Sequence, residues 1–431
     1  MVALDWPGKA DCLAAARAEP LGELVACPGE SVAFDTSQNQ IIEGDNLEVL
    51  KHLQRTHAGQ VKLIYIDPPY NTGHDFVYSD RRSHARWLDM MAPRLSLARA
   101  LLTADGIIAI SIDDNEMAHL RLLMNEIFGE ERFLGVVVVQ SNRRGQTYRQ
   151  ISKSHEYLLF YARQDATLRE LERVENPLPY ADALGPFDLW ELRNRNPRFG
   201  RHNRPNLYFP IYVAPQDVDD IGCAKIALAP DVRFSLEVWP RNRAGADGCW
   251  RWSRDLLRTV ELDGACPVVV ARQRRDGGWN VYEKSRKNTT RAKSLWTETG
   301  MINELGTVEL GTLGMGGCYD HPKPLGLLRK IIRICTDGDD LVLDFFAGSG
   351  TTGHALLAAN REEGTGRRFI LVQWPEPLDP AGKPAAFCDA LGKPRTISEI
   401  TRERVRRALA ETGSTEGFRA YRLSGPRRKS S

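Results

Sequence analysis

Four consecutive residues, Asp67, Pro68, Pro69 and Tyr70, directly follow a short apolar run and offer groups that can hold a flat, amino-bearing ring. The run at 63–66 predicts a buried strand. The two prolines must end it, because proline has no amide proton for the strand ladder. Asp67 therefore lies at the carboxyl end of a strand, where open α/β sheets bind ligands. The alternative interpretation is a strand end at which Asp67 caps the turn.

Activation of an exocyclic amine on a nucleobase is the chemistry that suits these groups. The lone pair of such an amine is delocalised into the ring. Two acceptors, the Asp67 carboxylate and the Pro68 carbonyl, can bind its two hydrogens and localise that lone pair, while Tyr70 stacks on the face of the base. In duplex DNA the base must first leave the stack, at a cost of roughly a few kcal/mol.

A second apolar run, which ends at Asp344, breaks into a turn that contains Gly348 and Gly350. Glycine lets a backbone approach a ligand closely. The turn is not a phosphate-binding P-loop, because the lysine of that motif is absent. The next predicted strand, 368–373, is followed by Glu376, an acid that can bind ribose hydroxyls in dinucleotide folds.

Strands alternate with helical patterns in the first 164 residues, and this alternation predicts a doubly wound α/β sheet. After 164 the periodicity breaks down, Arg, Trp, Asn and Pro become frequent, and short strands indicate an α+β insertion. The net charge of the chain is +2, but residues 141–300 contain 27 basic and 20 acidic side chains. This basic middle favours a polyanionic partner, although at least half of its Trp residues are expected to be core anchors.

Polar and basic residues at two places are candidate contacts with nucleic acid. Arg can bind guanine edges through two hydrogen bonds and can stack on rings. One place is a loop at 141–149, for which a solvated basic loop is the alternative interpretation, and the other is an Arg-rich stretch near 193. The predicted DNA contacts are Asn142, Arg143, Arg144, Arg193 and Arg195.

Composition excludes several classes of protein. The eight cysteines are scattered and form no C-x-x-C pair, which argues against a zinc site and a disulfide framework and indicates a reducing compartment. No apolar run approaches roughly 20 residues, and the amino terminus lacks the layout of a signal peptide. We therefore expect a cytoplasmic protein with no membrane span.

The order of these features resembles the β group of DNA amino-methyltransferases. In that group a catalytic D-P-P-Y precedes a cofactor turn F-x-G-x-G, and a target-recognition region separates them. The chain is most similar to the modification (Mod) subunits of type III restriction-modification systems. The residues that carry the resemblance lie at 65–73, 112–116, 344–352 and 400–404.

This resemblance implies S-adenosylmethionine as methyl donor and adenine N6 in duplex DNA as acceptor, with the Asp67 to Tyr70 tetrad as the catalytic residues and no metal. It implies a circularly permuted Rossmann-like methyltransferase sheet with an inserted α+β target-recognition region. A catalytic half, a recognition region and a cofactor-binding half are expected at 1–164, 165–305 and 306–431. The implied partners are double-stranded DNA, a second copy of the chain and a restriction subunit.

The resemblance also implies a set of cofactor ligands. Lys323 matches the segment that approaches the methionine carboxylate. Asp45 would lie near the cofactor's adenine, although by itself it is also a good helix N-cap. Related enzymes commonly end the second cofactor strand with an acid, where this chain has Gln373, so the ribose ligand is left open between Gln373 and Glu376. The implied cofactor residues are Asp45, Lys323, Asp344, Phe346, Gly348, Gly350, Thr351, Gln373 and Glu376.

Three other functions compete with adenine methylation. N4-cytosine methylation is chemically similar, although related enzymes more often have Ser where Asp67 stands. Protein-glutamine and RNA methyltransferases usually begin the tetrad with Asn. A catalytically silent DNA-binding partner is the alternative from a different class.

Overall fold

The computed structural model describes residues 4–73, 82–145, 150–173, 177–242, 245–262 and 266–425. The chain divides into two compact units. The first contains Met1–Leu171 and Arg291–Ser431, and the second contains Glu172–Thr290. The second unit is therefore shorter at both ends than the recognition region expected at 165–305, because residues 165–171 and 291–305 belong to the first unit.

Helices and strands alternate through most of the first unit. The described helices are α1 (Lys9–Arg17), α2 (Asn46–His57), α3 (His84–Leu101), α4 (Met117–Phe128), α5 (Arg254–Thr259), α6 (Asn303–Thr312), α7 (Leu325–Cys335), α8 (Thr351–Glu363), α9 (Lys383–Ala390) and α10 (Ile397–Thr412). Within the described ranges, no helix combines the length and the apolar character needed to cross a bilayer.

Seventeen of the nineteen described strands form one large sheet in each unit, and the other two, at 171–172 and 289–290, pair with each other. The strands are β1 (Glu23–Ala26), β2 (Gln40–Glu43), β3 (Val61–Ile66), β4 (Leu102–Ile112), β5 (Phe133–Val139), β6 (Glu156–Ala162), β7 (Leu171–Glu172), β8 (Tyr180–Asp182), β9 (Gly185–Glu191), β10 (Ile211–Val218), β11 (Cys223–Ala227), β12 (Leu236–Val238), β13 (Val269–Gln273), β14 (Trp279–Ser285), β15 (Thr289–Thr290), β16 (Leu295–Trp296), β17 (Leu341–Asp344), β18 (Arg368–Gln373) and β19 (Arg419–Ser424).

A ten-stranded sheet in the order β1-β19-β2-β18-β17-β3-β4-β6-β5-β16 organises the first unit. β17 is parallel to both β18 and β3, so strands that are far apart in the chain become neighbours. β6 is antiparallel to β4 and to β5. The carboxyl ends of β2, β3, β4, β5, β17 and β18 therefore lie at one edge of the sheet, called here the carboxyl edge, together with the amino end of β6.

Side chains alternate between the two faces of this sheet, as strand geometry requires. In β3, Ile64 and Ile66 pack into a core with α2, α3 and α4. Leu63 and Tyr65 of the same strand pack into a second core with α7, α8 and α10. Helices cover both faces, which confirms the expected α/β class.

The second unit is built on an antiparallel sheet in the order β12-β10-β11-β13-β14-β9-β8. Its core includes Phe209, Ile226 and the fully buried Trp250. The six-residue α5 is its described helix. The expected α+β insertion is therefore mostly β, because short strands with irregular connections leave little helical periodicity in the sequence.

Candidate active site

The Asp67 to Tyr70 tetrad leaves the carboxyl edge directly after β3. Trp87 of α3 fixes the turn, since its indole Nε1 donates a 2.7 Å hydrogen bond to the Pro69 carbonyl. Asp67 is partly buried, and its Oδ1 is shielded from solvent without a hydrogen-bond partner among the described residues. Buried acceptors nearly always have a partner. Lys323 Nζ lies 3.4 Å from this oxygen without forming a hydrogen bond of good geometry, so Oδ1 can still accept a hydrogen bond from a ligand.

The Lys323 ammonium lies against the tetrad. Lys323 precedes α7 and is only 8% exposed. Its Nζ donates hydrogen bonds of 2.7 Å to the Tyr70 hydroxyl and to Glu156 Oε2, and it lies 3.4 Å from Asp67 Oδ1. The structure thus places Lys323 beside the catalytic tetrad, and its contact with the methionine carboxylate stays a prediction.

Glu156 is a site residue that the sequence did not reveal. It is the first residue of β6, and its side chain reaches the tetrad because the antiparallel β6 begins at the carboxyl edge. The carboxylate is buried and also accepts a 3.4 Å hydrogen bond from the Tyr70 hydroxyl. The sequence signal that could have revealed Glu156 is an acidic residue at the start of an otherwise apolar strand.

Burial and charge together set the protonation of this cluster. Burial raises the pKa of Asp67, Lys323 lowers it, Glu156 raises it, and the net effect is an increase. Burial lowers the pKa of Lys323, but Asp67 and Glu156 outweigh burial, so the pKa of Lys323 lies above its usual value. Burial raises the pKa of the Tyr70 hydroxyl well above its usual value. Near neutral pH, Lys323 is therefore an ammonium and Tyr70 a neutral phenol.

The glycine turn follows β17 and leads into α8. Asp344 is almost fully buried at the end of β17, where its Oδ1 accepts a 2.9 Å hydrogen bond from the Phe346 amide and its Oδ2 a 2.5 Å bond from the Thr352 hydroxyl. Burial raises the pKa of Asp344 to about 7. The φ angles of Gly348 and Gly350 are 52° and 84°, a left-handed conformation that favours glycine.

Two further residues implied as cofactor ligands hold this turn in place. Gln373, at the end of β18, accepts a 2.7 Å hydrogen bond from the Gly348 amide and donates a 3.1 Å bond to the Trp374 carbonyl. The Thr351 hydroxyl accepts a 2.6 Å bond from buried Arg404. Phe346 is partly buried, and its ring lies 5.4 Å from that of Phe345.

Asp45 caps α2, which is one of the two roles expected for this residue from the sequence. Its Oδ1 accepts hydrogen bonds from the amides of Leu47 and Glu48 at 2.8 and 3.2 Å. It also lines a cavity of about 130 Å³ at the carboxyl ends of β2 and β18, with Trp374 on the opposite wall. Glu376 follows Trp374 and is partly buried. Contact of Asp45 and Glu376 with a cofactor stays a prediction.

The tetrad and the glycine turn lie side by side. In the parallel pairing of β3 with β17, Leu63 pairs with Val342 and Ile64 with Leu343. Asp67 and Asp344 therefore leave the carboxyl edge from adjacent strands, close enough that the charge of Asp67 contributes, after burial, to the raised pKa of Asp344. One site can hold an amine acceptor and a second ligand together.

Three of the predicted DNA contacts belong to the first unit. They follow β5, which ends at the carboxyl edge. Asn142 shapes the loop, since its Oδ1 accepts hydrogen bonds from the Arg144 and Gly145 amides at 2.9 and 3.2 Å. Arg143 donates a 2.8 Å bond to the Thr299 hydroxyl. Residues 146–149 of the predicted loop lie outside the described residues.

The other two predicted DNA contacts belong to the second unit. Arg193 and Arg195 bind the two oxygens of Glu191, at 2.9 and 2.8 Å. All three line a cavity of about 390 Å³ whose wall also contains Arg241, Arg274, Asn280 and Tyr282. Four guanidinium groups against one carboxylate give this cavity a positive charge, which suits an anionic ligand.

Comparison with known proteins identifies the family. A family profile described as DNA methylase matches residues 61–376, a span that includes the tetrad, the second unit and the glycine turn. The chain belongs to the DNA methylase family. Its profile covers methyltransferases that modify the N6 amine of adenine or the N4 amine of cytosine. The resemblance expected from the sequence is thus confirmed, and with it the class of enzyme.

Individual relatives in the DNA methylase family include type II and type III enzymes. The type II methyltransferase M.KpnI from Klebsiella pneumoniae is 33% identical over 80% of this chain and 82% of its own length. The EcoPI Mod subunit from Escherichia phage P1 is 32% identical over 88% of this chain and 63% of its own length. The StyLTI Mod subunit from Salmonella typhimurium LT2 is 32% identical over 90% of this chain and 61% of its own length. The chain thus spans less than two thirds of these Mod subunits.

A solved structure of the cytosine-N4-specific PvuII DNA methyltransferase is 12% identical, with a TM-score of 0.39 over 89% of this chain and 95% of that one. A likeness this low carries no argument about fold or function.

Proposed function

We propose that this chain transfers a methyl group from S-adenosylmethionine to N6 of an adenine in a specific DNA sequence, after the base has left the duplex. The observation that carries the proposal is the solvent-shielded Asp67 Oδ1, which has the Lys323 ammonium 3.4 Å away but accepts no hydrogen bond from the described residues, directly after the strand adjacent to β17 and its glycine turn. Membership of the DNA methylase family supports methyl transfer to an exocyclic amine, and the similarity to Mod subunits supports adenine.

The glycine turn fits the methyl donor. Gly348 has a φ of 52°, and a Cβ there would lie 2.8 Å from the Tyr319 hydroxyl, so a side chain at this position would strain the backbone and require Tyr319 to shift. When bound, S-adenosylmethionine supplies the methyl group. The residues that would hold it are the cofactor set expected from the sequence. The Gln373 amide also binds Gly348 and Trp374, and either Gln373 or Glu376 would bind the ribose hydroxyls.

The tetrad would prepare the amine for attack. Asp67 and the Pro68 carbonyl accept the two N6 hydrogens, and Tyr70 stacks on the base. The amine would take the methyl group that the bound donor supplies, and it would then lose one of its two protons. Asp67 is placed to accept that proton, since burial already raises its pKa. Lys323 and Glu156 fix Tyr70 and Asp67, so that alignment of the reacting atoms supplies much of the rate.

We also propose that the sheet is a circularly permuted methyltransferase sheet with the second unit as the inserted target-recognition region. The support is the position of β17 and β18 between β2 and β3, although both follow the second unit in the chain. The basic cavity around Arg193 and Arg195 supports DNA reading by this unit.

Partners of the relatives extend to this chain as proposals. The Mod relatives are subunits of type III restriction-modification enzymes, and this supports association with a restriction subunit. Pairing of two copies of the chain is proposed from the sequence resemblance alone. Light scattering of the purified chain, alone and with DNA, measures the number of copies. A single mass equal to one chain under both conditions would contradict the pairing.

Replacement of Asp67 by Ala tests the catalytic assignment. Loss of the N6 acceptor is expected to slow transfer of labelled methyl to DNA by on the order of 100- to 1,000-fold, as for removal of a preorganised hydrogen-bonding group. DNA binding should remain, and the exposed Asp35→Ala variant should keep the wild-type rate. Wild-type labelling by Asp67→Ala would refute the assignment. Methylation-aware sequencing of the product separates the two amines, and N4-methylcytosine in place of N6-methyladenine would overturn the adenine proposal.

A further inference from the structure

A cluster of two histidines and one glutamate lies outside the catalytic tetrad. His84 begins α3, Glu116 immediately precedes α4, and His119 lies in the first turn of α4. The Nδ1 atoms of His84 and His119 lie 2.8 and 2.9 Å from the two oxygens of Glu116. The two imidazole rings face each other at 4.5 Å between centroids and 35° between planes. Nitrogen and oxygen atoms of all three side chains lie within 4.8 Å of one another.

Glu116 needs a positive charge that its neighbours supply only in part. Its side chain is 0% exposed, and burial of a carboxylate is costly unless a charge compensates it. Over the described ranges of the chain, the ion-pair partners of Glu116 are His84 and His119, which are charged only when protonated. Asn71 adds a neutral donor, with Nδ2 at 2.6 Å from Oε1. A divalent cation among the three side chains would supply the missing charge.

The donor set matches a transition metal. Two imidazole nitrogens and one carboxylate oxygen are ligands that zinc prefers, whereas Mg²⁺ and Ca²⁺ prefer oxygen alone. With bonds of about 2.0–2.1 Å, neighbouring ligands of a tetrahedral zinc lie roughly 3.3 Å apart. The two nitrogen–oxygen distances would therefore lengthen by about half an ångström around an ion, and ligand atoms now up to 4.8 Å apart would move closer together. The side chains of His84 and His119 are 61% and 33% exposed, which leaves an entry path and room for a water as fourth ligand.

We propose that His84, Glu116 and His119 form a binding site for one Zn²⁺ ion. Its position makes the site structural. The ion would tie the start of α3 to the start of α4, and through the hydrogen bond from Asn71 to Glu116 it would hold the backbone immediately after Tyr70. Asn71 has a φ of 59°, an uncommon conformation for a residue other than glycine, which such a tie helps to maintain. Zn²⁺ takes no part in methyl transfer.

Zinc titration of the tag-free chain after chelator treatment tests the proposal. The expected result is one tightly bound Zn²⁺ per chain by calorimetry and by elemental analysis, with a rise in melting temperature that Mg²⁺ does not reproduce. Co²⁺ should give the visible absorption of a tetrahedral site.

Single replacements locate the ion. His84→Asn and His119→Asn change accessible side chains that the fold tolerates, and each should weaken Zn²⁺ binding by at least about 100-fold, because even loss of an outer partner costs about 10- to 100-fold. Exposed His202, in the second unit, provides the matched control, and His202→Asn should bind Zn²⁺ as the wild type does. No stoichiometric Zn²⁺ in the wild type, or equal affinity in His119→Asn and His202→Asn, would overturn the proposal. Retained affinity after His119→Asn would mean that scattered cysteines hold the metal.

Discussion

At the scale of single residues, Lys323 influences the charge of Asp67 in the proposed catalytic tetrad. One ammonium lies between two carboxylates. Lys323 lowers the pKa of Asp67, whereas Glu156 raises it. The acceptor that binds the N6 amine must be ionised, so the pH at which activity appears reports these two neighbours.

Replacement of Lys323 and replacement of Glu156 should therefore move the pH profile of methyl transfer in opposite directions. Lys323→Met removes the ammonium that lowers the pKa of Asp67. The pKa of Asp67 should then rise, and the acidic limb of the kcat/KM profile should move to higher pH. Glu156→Gln removes a carboxylate that raises the pKa of Asp67. The pKa of Asp67 should then fall, and the acidic limb should move to lower pH. Methyl-transfer rates across the pH range, with DNA binding as the control measurement, check both. A shift in the same direction for the two variants would mean that they act through packing.

Asp344 should make the stability of the fold depend on pH. Burial raises its pKa from 3.8 to about 7, so between these values the folded chain binds more protons than the unfolded chain, and stability falls as pH rises. Asp344→Asn should remove this part of the decline. Urea unfolding at several pH values from 4 to 8 measures it, with the exposed Asp35→Asn as control. An unchanged slope in Asp344→Asn would contradict the assignment.

Helix α8 is flanked by two glycines, but only the turn at its amino end is proposed to bind the cofactor. Glycines in the left-handed conformation flank it, with φ of 84° at Gly350 before the helix and 65° at Gly364 after it. A Cβ at Gly350 would lie 3.0 Å from the Thr401 carbonyl, whereas one at Gly364 meets nothing within 4 Å. The two positions share the backbone strain but differ in their surroundings.

Alanine at these two positions is expected to separate strain from ligand binding. Each variant should lose about 1–2 kcal/mol of unfolding free energy from the left-handed backbone. Gly350→Ala should in addition weaken S-adenosylmethionine binding by more than tenfold, because the turn must shift away from Thr401. Calorimetric titration with the cofactor, alongside denaturant unfolding, gives both quantities. Equal cofactor affinity in Gly350→Ala and Gly364→Ala would show that the turn does not bind it.

Several elements were predictable because each leaves a local pattern. β18 has the predicted limits, and the apolar runs that stop at Asp67 and Asp344 mark true strand ends. The start of α8 at Thr351 is harder to predict, because its N-cap is a glycine, which gives a weak signal in the sequence. Interactions between distant segments leave no such pattern. Glu156 at the tetrad and the Trp87 hydrogen bond to Pro69 depend on which strands become neighbours.

At the scale of the whole molecule, the proposed division of labour places chemistry in one unit and sequence reading in the other. The boundaries at 171 and 290 were not predictable, because β16 and α6 return to the first unit without a change in composition. The separation nevertheless predicts that DNA affinity and cofactor affinity respond to different substitutions.

Arg193 and Arg195 test that separation. The double replacement by Ala should weaken DNA binding and reduce the slope of log affinity against log salt by roughly 0.9 for each phosphate that the variant no longer neutralises, while cofactor affinity stays at its wild-type value. Arg258→Ala on α5 is the control within the same unit, since this side chain is 61% exposed. A salt slope in the double variant equal to that of Arg258→Ala would argue against binding of DNA by these two arginines.

The position of β17 and β18 between β2 and β3 has a consequence for synthesis on the ribosome. β2 and β3 emerge early, yet the two strands that fill the space between them emerge only after the whole second unit. Until then β3 lacks one of its neighbours, and an unpaired strand edge is prone to wrong association. We therefore expect nascent chains that stop before residue 341 to engage chaperones, and the proposed catalytic pocket to close only after β17 and β18 have emerged.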